Sequence, residues 1–165
     1  MRRGLLALLL ASVYLAVALP GARAMIASWE WPVVGPVIRP FDPPSSPYGA
    51  GHRGIDIAAS VGTVVTAPAA GRVAFAGPVG GHLFLTIDHG GGVESAYSWL
   101  SSLLVRRGDV VVGGTPIATT GWGHPASLVP TLHMGVRIDD VYVDPMALLG
   151  PGDVSGFIRL APLDP

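Results

Sequence analysis

The stretch Gly51-His52-Arg53-Gly54-Ile55-Asp56-Ile57-Ala58-Ala59 sets small or polar residues in alternation with Ile55 and Ile57. Period two is the pattern of a half-buried β-strand, in which residues i, i+2 and i+4 share a face. His52, Gly54 and Asp56 are therefore expected on one face, with Ile55 and Ile57 in the core. Glycine between the two polar residues is expected to leave space for an ion. A second segment, Thr131-Leu132-His133-Met134-Gly135-Val136-Arg137, alternates in the same way. It sends Thr131, His133 and Gly135 to one face and Leu132, Met134 and Val136 to the other. Two histidines and an aspartate make a nitrogen and oxygen donor set suited to zinc, and three protein ligands leave a fourth position for water. A His-x-x-x-Asp taken alone is more often a surface histidine beside an unrelated acid, and such a donor set accepts several divalent ions.

Outward from these segments the chain reads as strands and turns. Residues 33–34 and 37–38 are short apolar runs separated by Gly35-Pro36. Residues 41–51 contain Pro43, Pro44 and Pro47, which excludes helix or central strand and predicts a long surface loop. Strands are expected over 54–58, 63–66, 71–76, 110–112, 116–119, 132–138 and 141–143. A hairpin is expected from 83–88 and 93–100 around Asp88-His89-Gly90-Gly91-Gly92. Short helical turns are expected only at 101–107 and 146–149. Many short strands with turn signals between them, in a chain with 23 glycines and 16 prolines, predict an all-β barrel or sandwich.

At 165 residues the chain has room for one ordinary domain. A net charge of −1 and a charged fraction of 13% leave no nucleic-acid footprint. Every basic residue is arginine, so no lysine can carry biotin, lipoate or a Schiff base. With no cysteine, disulfides, thiolate metal sites, a cysteine nucleophile and a lipoprotein anchor are excluded, and a metal must be held by His, Asp or Glu.

Residues 1–24 have the three parts of a secretory signal peptide: Arg2-Arg3, an apolar run over 4–19, and Ala22-Arg23-Ala24 as the cleavage site. That run, about 16 residues, is shorter than the roughly 20 that span a bilayer, so membrane contact is expected only if the segment stays uncleaved. Cleavage leaves seven arginines against eleven acids, a mildly acidic extracytoplasmic protein. Residues 25–50 are read as an N-terminal strand and Pro-rich loop, 51–149 as the working domain and 150–165 as a tail.

The segments 52–59, Gly62-Thr63-Val64-Val65, Ala69-Ala70-Gly71-Arg72-Val73, Ile87-Asp88-His89-Gly90, Gly108-Asp109-Val110, 132–137 and Val143-Asp144-Pro145 occur in an order and spacing that resembles the lysostaphin/LytM family of zinc endopeptidases. The resemblance runs from about Phe41 to Leu149. It implies an antiparallel β-sheet core related to the lipoyl-type hybrid barrel, with action on the peptide cross-links of bacterial peptidoglycan. It also implies Zn2+ held by His52, Asp56 and His133.

The sequence departs from the family at two places. Active members read His-x-His at the second segment, where this chain has Thr131. They carry a histidine in Tyr-Ala-His-Leu, where this chain reads Tyr97-Ser98-Trp99-Leu100. Tryptophan offers one N–H donor and no base, and a threonine hydroxyl is no base near neutral pH. Two residues are candidate substitutes: His124, in Gly121-Trp122-Gly123-His124-Pro125, as acid or base, and Tyr48 as a phenol facing an oxyanion. The plainer reading of each is a residue of its loop, His124 solvated and Tyr48 packed. His82 reads as an exposed residue before a strand and His89 as part of a turn, while Arg53 and Arg137 read as solvated.

Three functions are compatible with this reading. One is an exported zinc peptidase acting on peptidoglycan peptides. A second is a non-cutting cell-wall binding module, or an activator partnered with another cell-wall hydrolase. The third, a phosphoryl or lipoyl-type carrier on the same fold, is opposed by the missing lysine and the export signal.

Overall fold

A computed structural model describes residues 29–46, 49–124 and 127–150. The expected signal segment, Tyr48 and the tail from residue 151 lie outside these. Among the described residues no helix is long and apolar enough to cross a membrane.

The fold is all-β, and every pairing between its strands is antiparallel, with one isolated parallel bridge between Trp29 and Leu149. Its strands are β1 (Val37–Arg39), β2 (Ile55–Ala58), β3 (Val64–Thr66), β4 (Gly71–Val79), β5 (His82–Asp88), β6 (Val93–Leu103), β7 (Val110–Val111), β8 (Pro116–Thr120), β9 (Thr131–Ile138) and β10 (Val141–Val143). The main sheet runs in the order β1-β2-β9-β6-β5-β4-β7. β10 extends it beside β9, and the β3–β8 pair joins it through β6. The hairpin expected around Asp88 is β5–β6.

The predicted alternation holds in the core. Ile55 and Ile57 of β2, Leu132, Met134 and Val136 of β9, and Leu85 and Ile87 of β5 have no exposed surface. Each such side chain contributes about 1.5–3 kcal/mol of burial.

Three local expectations are corrected. Residues 101–107 are not helical: β6 continues through Leu103, because Leu100, Ser102 and Leu103 pair with Thr120, Thr119 and Ala118 of β8. Cross-strand pairing overrides the local preference. Residues 33–34 form no strand. The chain bends so that Val33 enters the core while Val34 stays exposed. Gly35 then passes so close to the Ala58 carbonyl that a Cβ would sit 1.9 Å from its oxygen. The helical turn near the C-terminal end is a 3-10 turn at Pro145–Ala147, capped by the Asp144 carboxylate, which accepts from the Met146 N–H at 3.0 Å.

Candidate metal centre

Asp56 on β2 and His133 on β9 are directly opposed in the ladder, and Ser98 on β6 lies opposite His133 on its other side. Opposed residues of antiparallel strands bring their Cβ atoms within about 4.5–5.5 Å. Register alone thus brings the aspartate to the distant histidine. His52 arrives differently from the sequence expectation. It lies before β2, where the chain bends, and is held by an isolated antiparallel bridge to Asp42 across the Pro-rich loop. Both bonds of that bridge are present, His52 N–H to the Asp42 carbonyl at 2.7 Å and Asp42 N–H to the His52 carbonyl at 3.0 Å.

The role expected of Gly54 also changes. A Cβ there would meet the Met134 carbonyl at 2.3 Å and the His133 ring at 2.9 Å. The room that glycine leaves is taken by β9 and the imidazole itself. Gly54 sets the approach of two ligand-bearing segments.

The three predicted donors converge. His133 Nδ1 lies 2.8 Å from Asp56 Oδ1, His52 Nε2 lies 3.1 Å from the same oxygen, and the two ring nitrogens are 3.1 Å apart. His52 and Asp56 are buried and His133 is half-buried. The His52 Nδ1–H donates to the Pro40 carbonyl at 2.7 Å. A neutral ring so fixed presents a lone pair at Nε2, the usual arrangement of a histidine ligand whose other nitrogen is anchored. A carboxylate oxygen and this lone pair face each other with a second imidazole nitrogen between them. A single cation satisfies all three atoms at once, whereas neutral rings alone leave acceptor against acceptor. Tetrahedral donors about 2.0–2.1 Å from zinc lie about 3.3 Å from one another, close to the spacing seen. The donor set fits a zinc-type ion.

Burial opposes the charge on Asp56, but its contacts with His133 and His52 outweigh it, leaving the carboxyl below its usual value.

Asp56 opens onto a cleft of about 400 Å³ lined also by Arg39, His124, Leu128 and Val129. His124, offered by the sequence as a substitute acid or base, therefore stands on the same cleft as the donor trio. Its pKa is lowered by partial burial, while the pull of Asp56 is offset by Arg39, His133 and His52. The ring is accordingly neutral at pH 7 and able to accept a proton.

The two divergent positions have distinct fates. Thr131 lies on the expected face but has no exposed surface, and its hydroxyl has no hydrogen-bond partner. Gly123 covers it: a Cβ there would fall 2.1 Å from Thr131 Oγ1. The Thr131 N–H donates to the Trp122 carbonyl at 3.1 Å, closing the loop over it. Trp99 has left the regular strand. Leu83 pairs with Leu100 and Phe84 with Ser98, so Trp99 is the extra residue of a β-bulge, at φ 63°. Its ring packs between His82 and His124, at centroid distances of 4.1 and 5.8 Å.

The remaining polar residues have structural partners. His89 packs on Trp29 and joins the Ala70 carbonyl to Ser95 Oγ, both at 2.8 Å. Arg137 pairs with Glu94, and Arg53 donates to the Gly49 carbonyl at 3.3 Å. Sequence reasoning missed the Pro40 carbonyl, since a backbone acceptor carries no residue-type signal. It also missed the contact of His82 with Trp99, which depends on the bulge.

Residues 50–145 match the model of peptidase family M23. The murein hydrolase activator NlpD of Escherichia coli is 36% identical over 126 residues, 75% of this chain and 32% of that protein. The catalytic domain of lysostaphin from Staphylococcus simulans superposes with a TM-score of 0.57 at 26% identity, over 66% of this chain and 86% of that one. A zinc-containing peptidase from Vibrio cholerae gives 0.58 at 26% identity, over 72% of this chain and 39% of that one. The chain spans about half the length of the curated relatives it matches, or a third in the case of NlpD.

Proposed function

The chain belongs to peptidase family M23, and from that premise we propose that it is an exported, zinc-dependent endopeptidase acting on the peptide cross-links of peptidoglycan. The observation that carries this reading is that His124 and Asp56 line one cleft, with His52 and His133 completing the donor trio. His52, Asp56 and His133 hold the ion. Bound there, zinc supplies a Lewis acid that polarises an amide carbonyl and makes water more acidic. The Pro40 carbonyl keeps His52 in the ligating tautomer. His124, neutral at pH 7, takes the proton released as water attacks the scissile carbonyl and returns it to the departing amine. Arg39, on the same cleft, faces the carboxylates of the peptide substrate. The signal segment expected at residues 1–24, together with relatives described as a lipoprotein and as murein hydrolase activators, supports work in the cell envelope.

A second reading has its own support: a zinc-bearing module that activates another cell-wall hydrolase without cutting. Thr131 is sealed beneath Gly123, and NlpD, a relative by sequence, is described as a murein hydrolase activator.

Incubating the zinc-loaded protein with purified peptidoglycan and analysing released fragments separates the two. The peptidase reading expects new peptide termini, and a loss of about 10²–10⁴ in rate for His124→Ala with zinc content unchanged. No product from protein that holds its zinc leaves the activator reading.

A further inference from the structure

Beside the metal cleft lies a second cavity, of about 290 Å³, lined by His82, Trp99, Leu100, Gly121, Trp122 and Gly123. Among the described residues its walls are the rings of His82, Trp99 and Trp122 with Leu100 and glycine backbone, and they include no carboxylate and no arginine. Trp122 is 58% exposed, although burying an indole is among the largest apolar gains open to a chain. Trp122 is not an isolated exposed residue: with Trp99 and His82 it lines one cavity, and grouped aromatic surface of this kind marks a binding groove.

The loop is built to keep it there. Gly121 N–H donates to the Trp99 carbonyl at 3.0 Å, so tightly that a Cβ at Gly121 would lie 2.3 Å from that oxygen. On the other side, the Trp122 carbonyl is bonded to Thr131, and Gly123, at φ 94°, rests on the Thr131 side chain. Trp122 is thus pinned between two close glycine contacts. Trp99 is placed with equal care. A bulky residue in the left-handed region is strained and persists only where its surroundings hold it. Bulges are a recurrent device for re-aiming a side chain beside a site. Here the bulge sets the Trp99 indole at the cavity, braced by His82 and His124.

We propose that Trp99 and Trp122 form a preformed shelf that binds a pyranose ring of an N-acetylated amino-sugar chain. A pyranose presents flat faces of C–H groups that pack on indole. The described lining offers no carboxylate to pair with a cation and no arginine to pair with an anion, which favours a neutral ring. Preorganisation by the two glycines removes most of the ordering cost of such a contact. Trp99 also touches His124, which makes the shelf continuous with the metal cleft. Resting on the proposed action on peptidoglycan, the shelf holds the glycan strand while its attached peptide enters the metal cleft.

The test uses a sugar without a peptide and protein without metal, so that it is independent of cutting. The full chain, treated with a chelator, is titrated with the β-1,4-linked trimer of N-acetylglucosamine, followed by tryptophan fluorescence and calorimetry. Saturable binding is expected, weakened about tenfold or more by Trp122→Ala, a change at an exposed side chain. His133→Ala, which disables the donor trio, leaves the sugar affinity within twofold. Absence of binding by the unmodified protein at millimolar sugar overturns the proposal, as does equal affinity in Trp122→Ala. Peptidoglycan cleavage without trimer binding would remove the shelf and leave the peptidase reading standing. Trimer binding without cleavage would do the reverse.

Discussion

Replacing Thr131 by valine is the sharpest test of how this site is built. Thr131 is fully buried and its hydroxyl meets no partner, so the folded state carries an unpaired polar group. Such a group typically costs about 1–3 kcal/mol. Thr131→Val keeps the β-branch and hence the strand preference. It removes that penalty and buries one methyl, worth about 0.8 kcal/mol. Part of the gain is lost because a methyl is bulkier than a hydroxyl where Gly123 already crowds Oγ1. The net expectation is a stabilisation of about 1 kcal/mol, or about 2–4 °C in Tm for a chain of this size. Urea unfolding should show a raised midpoint with an unchanged slope, which assigns the effect to stability. At a site where the hydroxyl was hydrogen-bonded, the same change would lose about 0.5–1.5 kcal/mol. A lowered midpoint would therefore refute the sealed position and reopen Thr131 to the cleft.

Gly123→Ala should destabilise by clearly more than Gly62→Ala in the same unfolding assay. Both glycines have φ near +90°, worth about 1–2 kcal/mol against alanine, but only Gly123 meets a neighbour. Equal losses would show that the loop does not press on Thr131. His89 gives a pH test. Burial lowers its pKa below 6.5, against the pull of the Ala70 carbonyl and Asp88. Between that lowered value and 6.5 the unfolded chain binds more protons than the folded one, so this contribution is complete above about pH 6.5 and is lost as pH falls below it. The fall in urea midpoint below pH 6.5 should be shallower in His89→Gln, and an unchanged slope would contradict the assignment.

The sequence was informative where one period governed a segment. Alternation in 54–58 and 131–138 set which residues meet in the core, and β-sheet register then carried Asp56 to His133. The family resemblance, which spans most of the chain, agrees with the fold and with the M23 match. What escaped the reading depends on long-range geometry. No local signal tells that His52 reaches the site through a bridge to Asp42, or that its tautomer is held by Pro40. The end of β6 read as helix because residues 101–107, taken alone, lack a clear strand pattern, and only pairing with β8 decides them. The bulge at Trp99 is likewise invisible in sequence, since the count of opposed residues exists only once β5 and β6 are paired. Replacement of two expected histidines by Thr131 and Trp99 was legible. That these two residues instead anchor one loop was not.

The central claim is that His52, Asp56 and His133 together hold one zinc ion. The most direct measurement is metal content and competition titration with a chromophoric chelator, on the unmodified protein and on His52→Ala, Asp56→Ala and His133→Ala. One tightly held equivalent is expected, weakened by orders of magnitude in each variant while circular dichroism shows the β-fold retained. An unmodified protein that binds no zinc, or three variants that bind it as well as the parent, would contradict the account.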